Sequence, residues 1–337
     1  MRENVLLRNY TTFHIGGPAR YFVEVKNLEE LKTAVAFAKE KKLPILIMGD
    51  GSNMLVSDRG FDGVVIRPNF RGFEIDGETV RIAASENWDA CAQRIVAAGL
   101  WGIENLSFVP GTAAGLAIQN VGAYGTQASD IIESVAVYDL KLKAKSYKLK
   151  ADCKFEYRRS VFNTEEKGRY VILSLLLKLS KNSVPNTSYG VKADSLQGMR
   201  EAIIATRKSK GQDTSEYWSA GSFFKNPIIT EKEYATLPPG TPRYPVSPPD
   251  PLLSIRRGAL AGELVKVPAG YLLDKICHLK GLAIGGAKLS ELQVINIINT
   301  GEATAQDVLN LFKKARKIVY QKTGITLENE PELVGFE

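Results

Sequence analysis

The stretch VPGTAAGLAIQNVGAYG, residues 109–125, constrains this chain more than any other. Gly111, Gly115, Gly122 and Gly125 stand there among small, mostly uncharged residues, which make a poor surface loop and a poor core. Such a stretch suits a wall of bare backbone against which a flat ring or a pyrophosphate can lie. A second stretch, GDGSN at 49–53, directly follows the apolar run PILIM. Gly49 and Gly51 can take positive φ and turn successive N–H groups toward one point, with Ser52 and Asn53 adding donors. This is not a Rossmann fingerprint, because Met54 stands where the third glycine belongs, and it lacks the Gly-Lys-Ser/Thr of a P-loop. Alone it is compatible with a plain turn. Two such slots in one half of the chain point to a dinucleotide rather than a mononucleotide.

The surrounding pattern is α+β. RYFVEV (20–25) has the β-branched and aromatic content of a strand, Asn27 and Glu30 form a capping box, and Leu28, Leu31, Val35 and Ala38 make a helical stripe before PILIMG returns as a buried strand. TVRIAAS (79–85) is predicted as a strand and Trp88 to Gly99 as a helix stopped by its glycine. Residues 134–149 alternate like a hairpin, YVILSLLLKLS (170–180) is a further strand, and 195–210 is helical again. The proline-rich run 236–251 excludes regular helix or sheet. A last helix runs from Thr304, with Asp307 as its capping partner, to Gly324. No internal repeat is present.

Bulk properties narrow the function. At 337 residues the chain has room for two or three domains, and its 44% hydrophobic and 24% charged content is that of a soluble globular protein. No apolar run approaches the roughly 20 residues of a membrane span, and MRENVLLRNY lacks the apolar core of a signal peptide, so a cytoplasmic protein without membrane association is expected. Three scattered cysteines and two histidines exclude a disulfide framework, a multi-histidine metal site and most histidine-based triads; no metal is expected. The net charge of +7 is dispersed, without a basic stripe interleaved with aromatics, which favours small anions over nucleic acid.

AGSFFKNP (220–227) places one hydroxyl, Ser222, between a glycine and two phenylalanines. Read alone, that is a strand-to-turn corner whose serine caps its own backbone. Together with TTFHIGGPA near the N-terminus, GDGSNML, VPGTAAGLAIQNVGAYG, YRRSVF, AGYLLDKICHLKGLAIGGA and the terminal GITLENE, in this order across nearly the whole chain, it resembles the UDP-N-acetylenolpyruvoylglucosamine reductase family. SYGV (188–191) resembles the subclass with an inserted loop whose tyrosine, here Tyr189, closes over substrate.

The resemblance implies an FAD-binding fold of the p-cresol methylhydroxylase/vanillyl-alcohol oxidase type with a C-terminal α+β substrate-binding domain. It implies FAD, NADPH as reductant and a UDP-linked enolpyruvyl ether as substrate, in peptidoglycan precursor synthesis. Residues 1–66 are expected as one FAD-binding subdomain to which 318–337 returns, 67–206 as the second, and 207–317 as the substrate-binding domain. FAD is expected in the glycine slots, at Gly49, Gly51, Ser52, Asn53, Pro110, Gly111, Thr112, Gly115, Asn120, Gly122, Ala123, Tyr124 and Gly125. With no histidine or cysteine in either slot, the flavin is expected to be held without a covalent bond. Reduction of an enolpyruvyl ether builds negative charge on the carbon beside the carboxylate, so it needs cations or donors there and an acid for that carbon. By the match, Ser222 is the proton donor, while Arg158 and Glu330 polarise the carboxylate. Glu330 must then be protonated or share a proton to face it. Tyr189, Arg207, Lys210, Lys225, Asn226, Tyr244 and Lys266 are expected to bind the nucleotide sugar, and the protein is expected to be a monomer. The chain departs from the family at Gln127, Gln293 and Glu332. Two other classes stay open: an oxidase of the same fold, and a nucleotide-sugar binding protein without catalysis.

Overall fold

The computed structural model describes residues 1–182, 186–246 and 263–336. The chain divides into two compact units. The first comprises Met1–Leu6, Pro18–Ser52 and Phe61–Ser209; the second comprises Leu7–Gly17, Asn53–Gly60 and Lys210–Glu337.

In the first unit, strands β1 (Arg2–Leu6), β2 (Pro18–Val25), β3 (Ile45–Ile47) and β5 (Phe61–Pro68) form a sheet of order β1-β2-β5-β3. The β2–β5 and β3–β5 pairs are parallel. Helix α1 (Leu28–Glu40) makes the crossover from β2 to β3, because Asn27 accepts the Glu30 N–H at its start and Leu31, Ala34, Val35 and Ala38 bury one stripe. A second, antiparallel sheet has the order β11-β10-β12-β7-β6, from β6 (Phe73–Asp76), β7 (Thr79–Ala83), β10 (Ile132–Asp139), β11 (Ala144–Leu149) and β12 (Tyr170–Lys178). The expected hairpin at 134–149 is present, pairing Ser134 with Leu149 and Asp139 with Ala144. Helix α2 (Trp88–Ala97), the short α3 (Ala113–Ile118) and α4 (Ala128–Ile131), and the long α5 (Leu196–Ser209) accompany this sheet. Its core gathers Val80, Ile82, Trp88, Ile95, Leu116 and Leu175.

The second unit holds β13 (Ser219–Ser222) at the edge of a sheet with β19 (Asn296–Asn299), β18 (Ala287–Leu289) and β17 (Ala283–Ile284). A three-stranded sheet places β16 (Leu264–Lys266) between β14 (Ile228–Thr230) and β15 (Tyr244–Pro245). The C-terminal helix Ala305–Thr323 begins with the Thr304–Asp307 capping box and ends at Gly324 with φ 71°. Strand β20 (Glu332–Val334) runs parallel to β4 (Met54–Val56).

Two expectations need correction. Tyr244–Pro245 lies inside the proline-rich run expected to be free of sheet, yet it pairs with β16. The pairing is possible because β15 is an edge strand, where proline's missing N–H costs little. The rest of that run from residue 247 on lies outside the described residues. The stretch 109–125 is not backbone wall throughout, since Ala113–Ile118 coils into α3. Alanine and leucine there favour helix once Thr112 leads into it. Among the described residues, no helix is long and apolar enough to cross a membrane.

Candidate flavin and substrate site

The two glycine loops of the first unit lie against each other. A Cβ on Gly49 would stand 3.2 Å from Thr112 Oγ1, and one on Gly111 would stand 2.6 Å from Ser52 Oγ. Ser52 Oγ donates to the Pro110 carbonyl at 3.4 Å. Gly51 and Gly111 have φ of 61° and 111°. Gly49 does not use the positive φ open to it, and a Cβ there would press on the Thr112 side chain. The backbone N–H groups of Asp50, Gly51, Ser52, Gly111 and Thr112 donate to no group of the chain among the described residues. Backbone donors without chain partners on two touching loops suit phosphate oxygens, so these residues fit the pyrophosphate of FAD. A small cleft of about 40 Å³ opens beside them, lined by Gly49, Asp50, Thr112, Ser85, Arg67 and Arg71. Arg67 bridges Glu24 at 3.0 Å and Asp50 at 3.1 Å.

The GAYG half of the long stretch is a tight hairpin, β8 (Gly122–Ala123) against β9 (Thr126–Gln127). Its turn needs positive φ at Tyr124 (47°) and Gly125 (86°). Asn105, buried, donates from one amide to the carbonyls of Tyr124 and Asn186, each at 2.8 Å. Asn186 returns a bond to the Gly125 carbonyl at 2.8 Å. The loop carrying Tyr189 is thereby fastened to the hairpin, and the Tyr189 ring meets the Tyr124 ring edge-on at 6.5 Å. Asn120 donates to the Glu156 carbonyl and to Gln127 Oε1 and accepts from the Ser129 N–H, so its amide is engaged by the chain itself. One departure, Gln127, serves here as that acceptor.

Arg158 stands beside this hairpin with its guanidinium donating to the Gly122 carbonyl at 3.1 Å. Its own φ is 58°, uncommon for a long side chain, and Asn163 Nδ2 donates to its carbonyl at 3.1 Å. Arg207, near the end of α5, donates from Nε to the Phe108 carbonyl at 3.0 Å. Burial pushes the Arg207 guanidinium down from its ordinary pKa, with Arg158 adding to the effect and Tyr124 and Asp89 opposing it. Burial pushes the Tyr124 phenol up, an effect that Arg207 partly offsets. Arg158, Tyr124, Tyr189 and Arg207 are thus gathered within one unit.

In the second unit, Ser222 ends β13, half-buried, and pairs with Asn296 of β19. Gly221 before it has φ 71°, and Phe223 and Phe224 after it are buried to 0% and 1% exposure. Both rings pack on Phe312 of the C-terminal helix, with centroids 5.5 and 5.4 Å away. These two phenylalanines anchor the strand end, which is why bulky rings follow a residue left half open. The segment 328–330 runs alongside: Lys225 N–H donates to the Glu328 carbonyl at 3.0 Å and Glu330 N–H to the Phe223 carbonyl at 2.9 Å. Phe224 and Asn329 form an antiparallel bridge, so Glu330 stands against Phe223, the residue after Ser222. Asn226 accepts from the Ala269 N–H at 2.9 Å, and Lys266 of β16 stands opposite both Tyr244 and Ile228. Lys210 opens the second unit, directly after α5. Glu332 lies in β20, half-buried, its N–H on the Asn53 carbonyl at 3.0 Å.

Comparison with known proteins gives the family of the chain. Residues 19–141 match an FAD binding domain family, and residues 212–334 match the family described as UDP-N-acetylenolpyruvoylglucosamine reductase, C-terminal domain. The fold and the glycine loops define an FAD-dependent oxidoreductase of the p-cresol methylhydroxylase/vanillyl-alcohol oxidase type, with a C-terminal α+β domain. The UDP-N-acetylenolpyruvoylglucosamine reductase of Streptomyces coelicolor is 37% identical over 96% of this chain and 88% of its own length. That of Neisseria gonorrhoeae is 37% identical over 98% of this chain and 96% of its own. The crystal structure of the Thermus caldophilus enzyme superposes with a TM-score of 0.70 at 27% identity, covering 98% of both chains. This chain belongs to the UDP-N-acetylenolpyruvoylglucosamine reductase family.

Proposed function

We infer that this chain reduces the enolpyruvyl ether of UDP-N-acetylglucosamine to the lactyl ether of UDP-N-acetylmuramate, with NADPH as reductant, in peptidoglycan precursor synthesis. The observation that carries this reading is the 37% identity to such a reductase over 96% of the chain. FAD, when bound, passes the two electrons of NADPH to the enolpyruvyl double bond. Asp50, Gly51, Ser52, Gly111 and Thr112 would hold its pyrophosphate through backbone N–H groups, and neither loop carries a histidine or cysteine for a covalent tether. Arg158 balances charge on the substrate carboxylate. Its support is a guanidinium oriented by the Gly122 carbonyl from a backbone held at positive φ. Ser222 protonates the carbon beside that carboxylate, and Glu330, whose N–H donates to the carbonyl of the next residue Phe223, polarises the carboxylate with Arg158. Tyr189, Arg207, Lys210, Lys225, Asn226, Tyr244 and Lys266 bind the nucleotide sugar. The division of roles into segments 1–66, 67–206 and 207–317, the cytoplasmic location and the monomeric state belong to the same proposal.

Incubation with NADPH and the enolpyruvyl nucleotide sugar tests it. The expected product is heavier by two hydrogens, formed in step with NADPH oxidation and only with flavin present. NADPH oxidation that consumes oxygen and leaves the nucleotide sugar unchanged would instead favour an oxidase of the same fold.

A further inference from the structure

The flavin loop at 109–112 is entered through a residue in an unfavourable conformation. Phe108 has φ 59°, left-handed backbone that disfavours an aromatic L-residue by about ten-fold or more. The chain holds it on three sides. Its N–H donates to Asp89 Oδ1 at 2.6 Å, its carbonyl accepts from Arg207 Nε at 3.0 Å, and Lys208 Nζ stands 5.4 Å from its ring centroid. Asp89 is itself fixed by Arg200, which is buried and donates to both carboxylate oxygens at 2.6 and 2.9 Å. The neighbouring Trp88 donates its indole N–H to the Leu106 carbonyl at 2.8 Å and its backbone N–H to the Gly111 carbonyl at 3.0 Å. The first turn of α2 thus grips segment 106–111 at three points, and α5 grips it from the other element. A buried ion pair contributes little to stability by itself, and its recurring use is to fix one geometry.

We propose that Asp89 and Arg200 are positioning residues for FAD, acting by holding Phe108 left-handed and so fixing the course of Val109–Thr112. The proposal rests on the reading of Gly111 and Thr112 as pyrophosphate donors and assigns the supporting pair behind them. Without the Asp89 acceptor, Phe108 relaxes toward negative φ, and the N–H groups of Gly111 and Thr112 lose their aim. A glycine at 108 takes positive φ without penalty, so it removes the need for the clamp.

The test is a cycle of variants read by FAD affinity, from the quenching of FAD fluorescence on titration into flavin-stripped protein. Asp89→Ala/Arg200→Met removes both charges together, leaving no buried charge unpaired. In the Phe108 protein this double change is expected to weaken FAD binding about ten-fold or more; in the Phe108→Gly protein, by less than three-fold. Equal losses in the two backgrounds, or no loss in either, would overturn the proposal. If near-ultraviolet circular dichroism shows the double variant unfolded, Asp89→Leu/Arg200→Met, which keeps the side-chain volume but offers no acceptor, takes its place, with the same dependence on Phe108→Gly expected and the same equality overturning it. FAD that fails to bind the unaltered protein would defeat the flavin reading as well; binding with equal losses defeats the positioning role alone.

Discussion

Ser222 and Gly111 show how a single position decides between roles that composition leaves open. Residues 220–227 offered two readings, a turn-capping serine and an acid, and the half-open place of Ser222 beside Glu330 is compatible with the second. Ser222→Ala is expected to leave FAD content and flavin reduction by NADPH nearly intact while substrate-driven reoxidation slows by ~10²–10⁴-fold, the usual scale for a positioned general acid. Ser222→Cys is expected to recover part of that rate. Anaerobic rapid mixing of both half-reactions checks this, and equal, weak effects on the two would return the serine to a cap. Among the glycines, sequence alone could not separate Gly111 from Gly115, because the difference lies in what a Cβ would meet. At Gly111 it would meet Ser52 Oγ at 2.6 Å from a φ of 111°, whereas at Gly115 nothing stands within 4 Å. Gly111→Ala is therefore expected to lower both stability and FAD affinity. Gly115→Ala, inside α3, is expected to stabilise the flavin-free protein by about 0.5–1 kcal/mol, and any loss of FAD affinity would report contact with the cofactor. Thermal melts and flavin titrations separate the two.

Elements with local signatures were legible. The Asn27 cap, the Thr304–Asp307 box, the alternation of 134–149 and the stop at Gly324 each lie within a few residues of what they specify, although Glu30 accepts from the Lys26 N–H and so does not close the expected box. Pairings between distant segments carry no such mark: the return of 318–337 toward 1–66 came only from the family resemblance, without the register of β20 on β4, and Tyr244 against Lys266 was not read at all. The clamp on Phe108 escaped for the same reason: Asp89, Phe108 and Arg200 are separated widely in sequence. At the hairpin, Asp139 accepts from the N–H groups of Lys141 and Leu142 and from two nitrogens of Arg169. These bonds, the Arg169 guanidinium foremost, hold the carboxyl down at about 2 from its ordinary 3.8. A carboxyl lowered in the folded state stabilises above its unfolded pKa and loses that contribution as pH falls through the folded one. The contribution, about 2 kcal/mol, is expected to be full above about pH 5 and to vanish between roughly pH 4 and 2. Urea melts of wild type and Asp139→Asn should converge across that window; a constant difference down to pH 2 would show that the bonds do not depend on charge.

The chain crosses between its units more often than a linear division suggests, and this was not legible because crossing leaves no compositional trace. Leu7–Gly17 and Asn53–Gly60 belong to the unit that Lys210–Glu337 completes, and they supply Phe13, Ile15 and Leu55 to its core. A fragment of 210–337 alone lacks those side chains and the β4 partner of β20, so it is expected to show secondary structure without fixed tertiary packing. Near-ultraviolet circular dichroism checks this; a native-like spectrum from the fragment would contradict it. The family was legible in the sequence because its motifs surround the site in fixed order, while the distances that orient Arg158 and Glu330 were not. The central claim, that bound flavin carries electrons from NADPH to an enolpyruvyl ether, is tested most directly by anaerobic mixing in two steps. NADPH should bleach the flavin absorbance, and addition of the enolpyruvyl nucleotide sugar without oxygen should restore it fully. Flavin that stays reduced with that substrate and recovers only on admission of air would contradict the account.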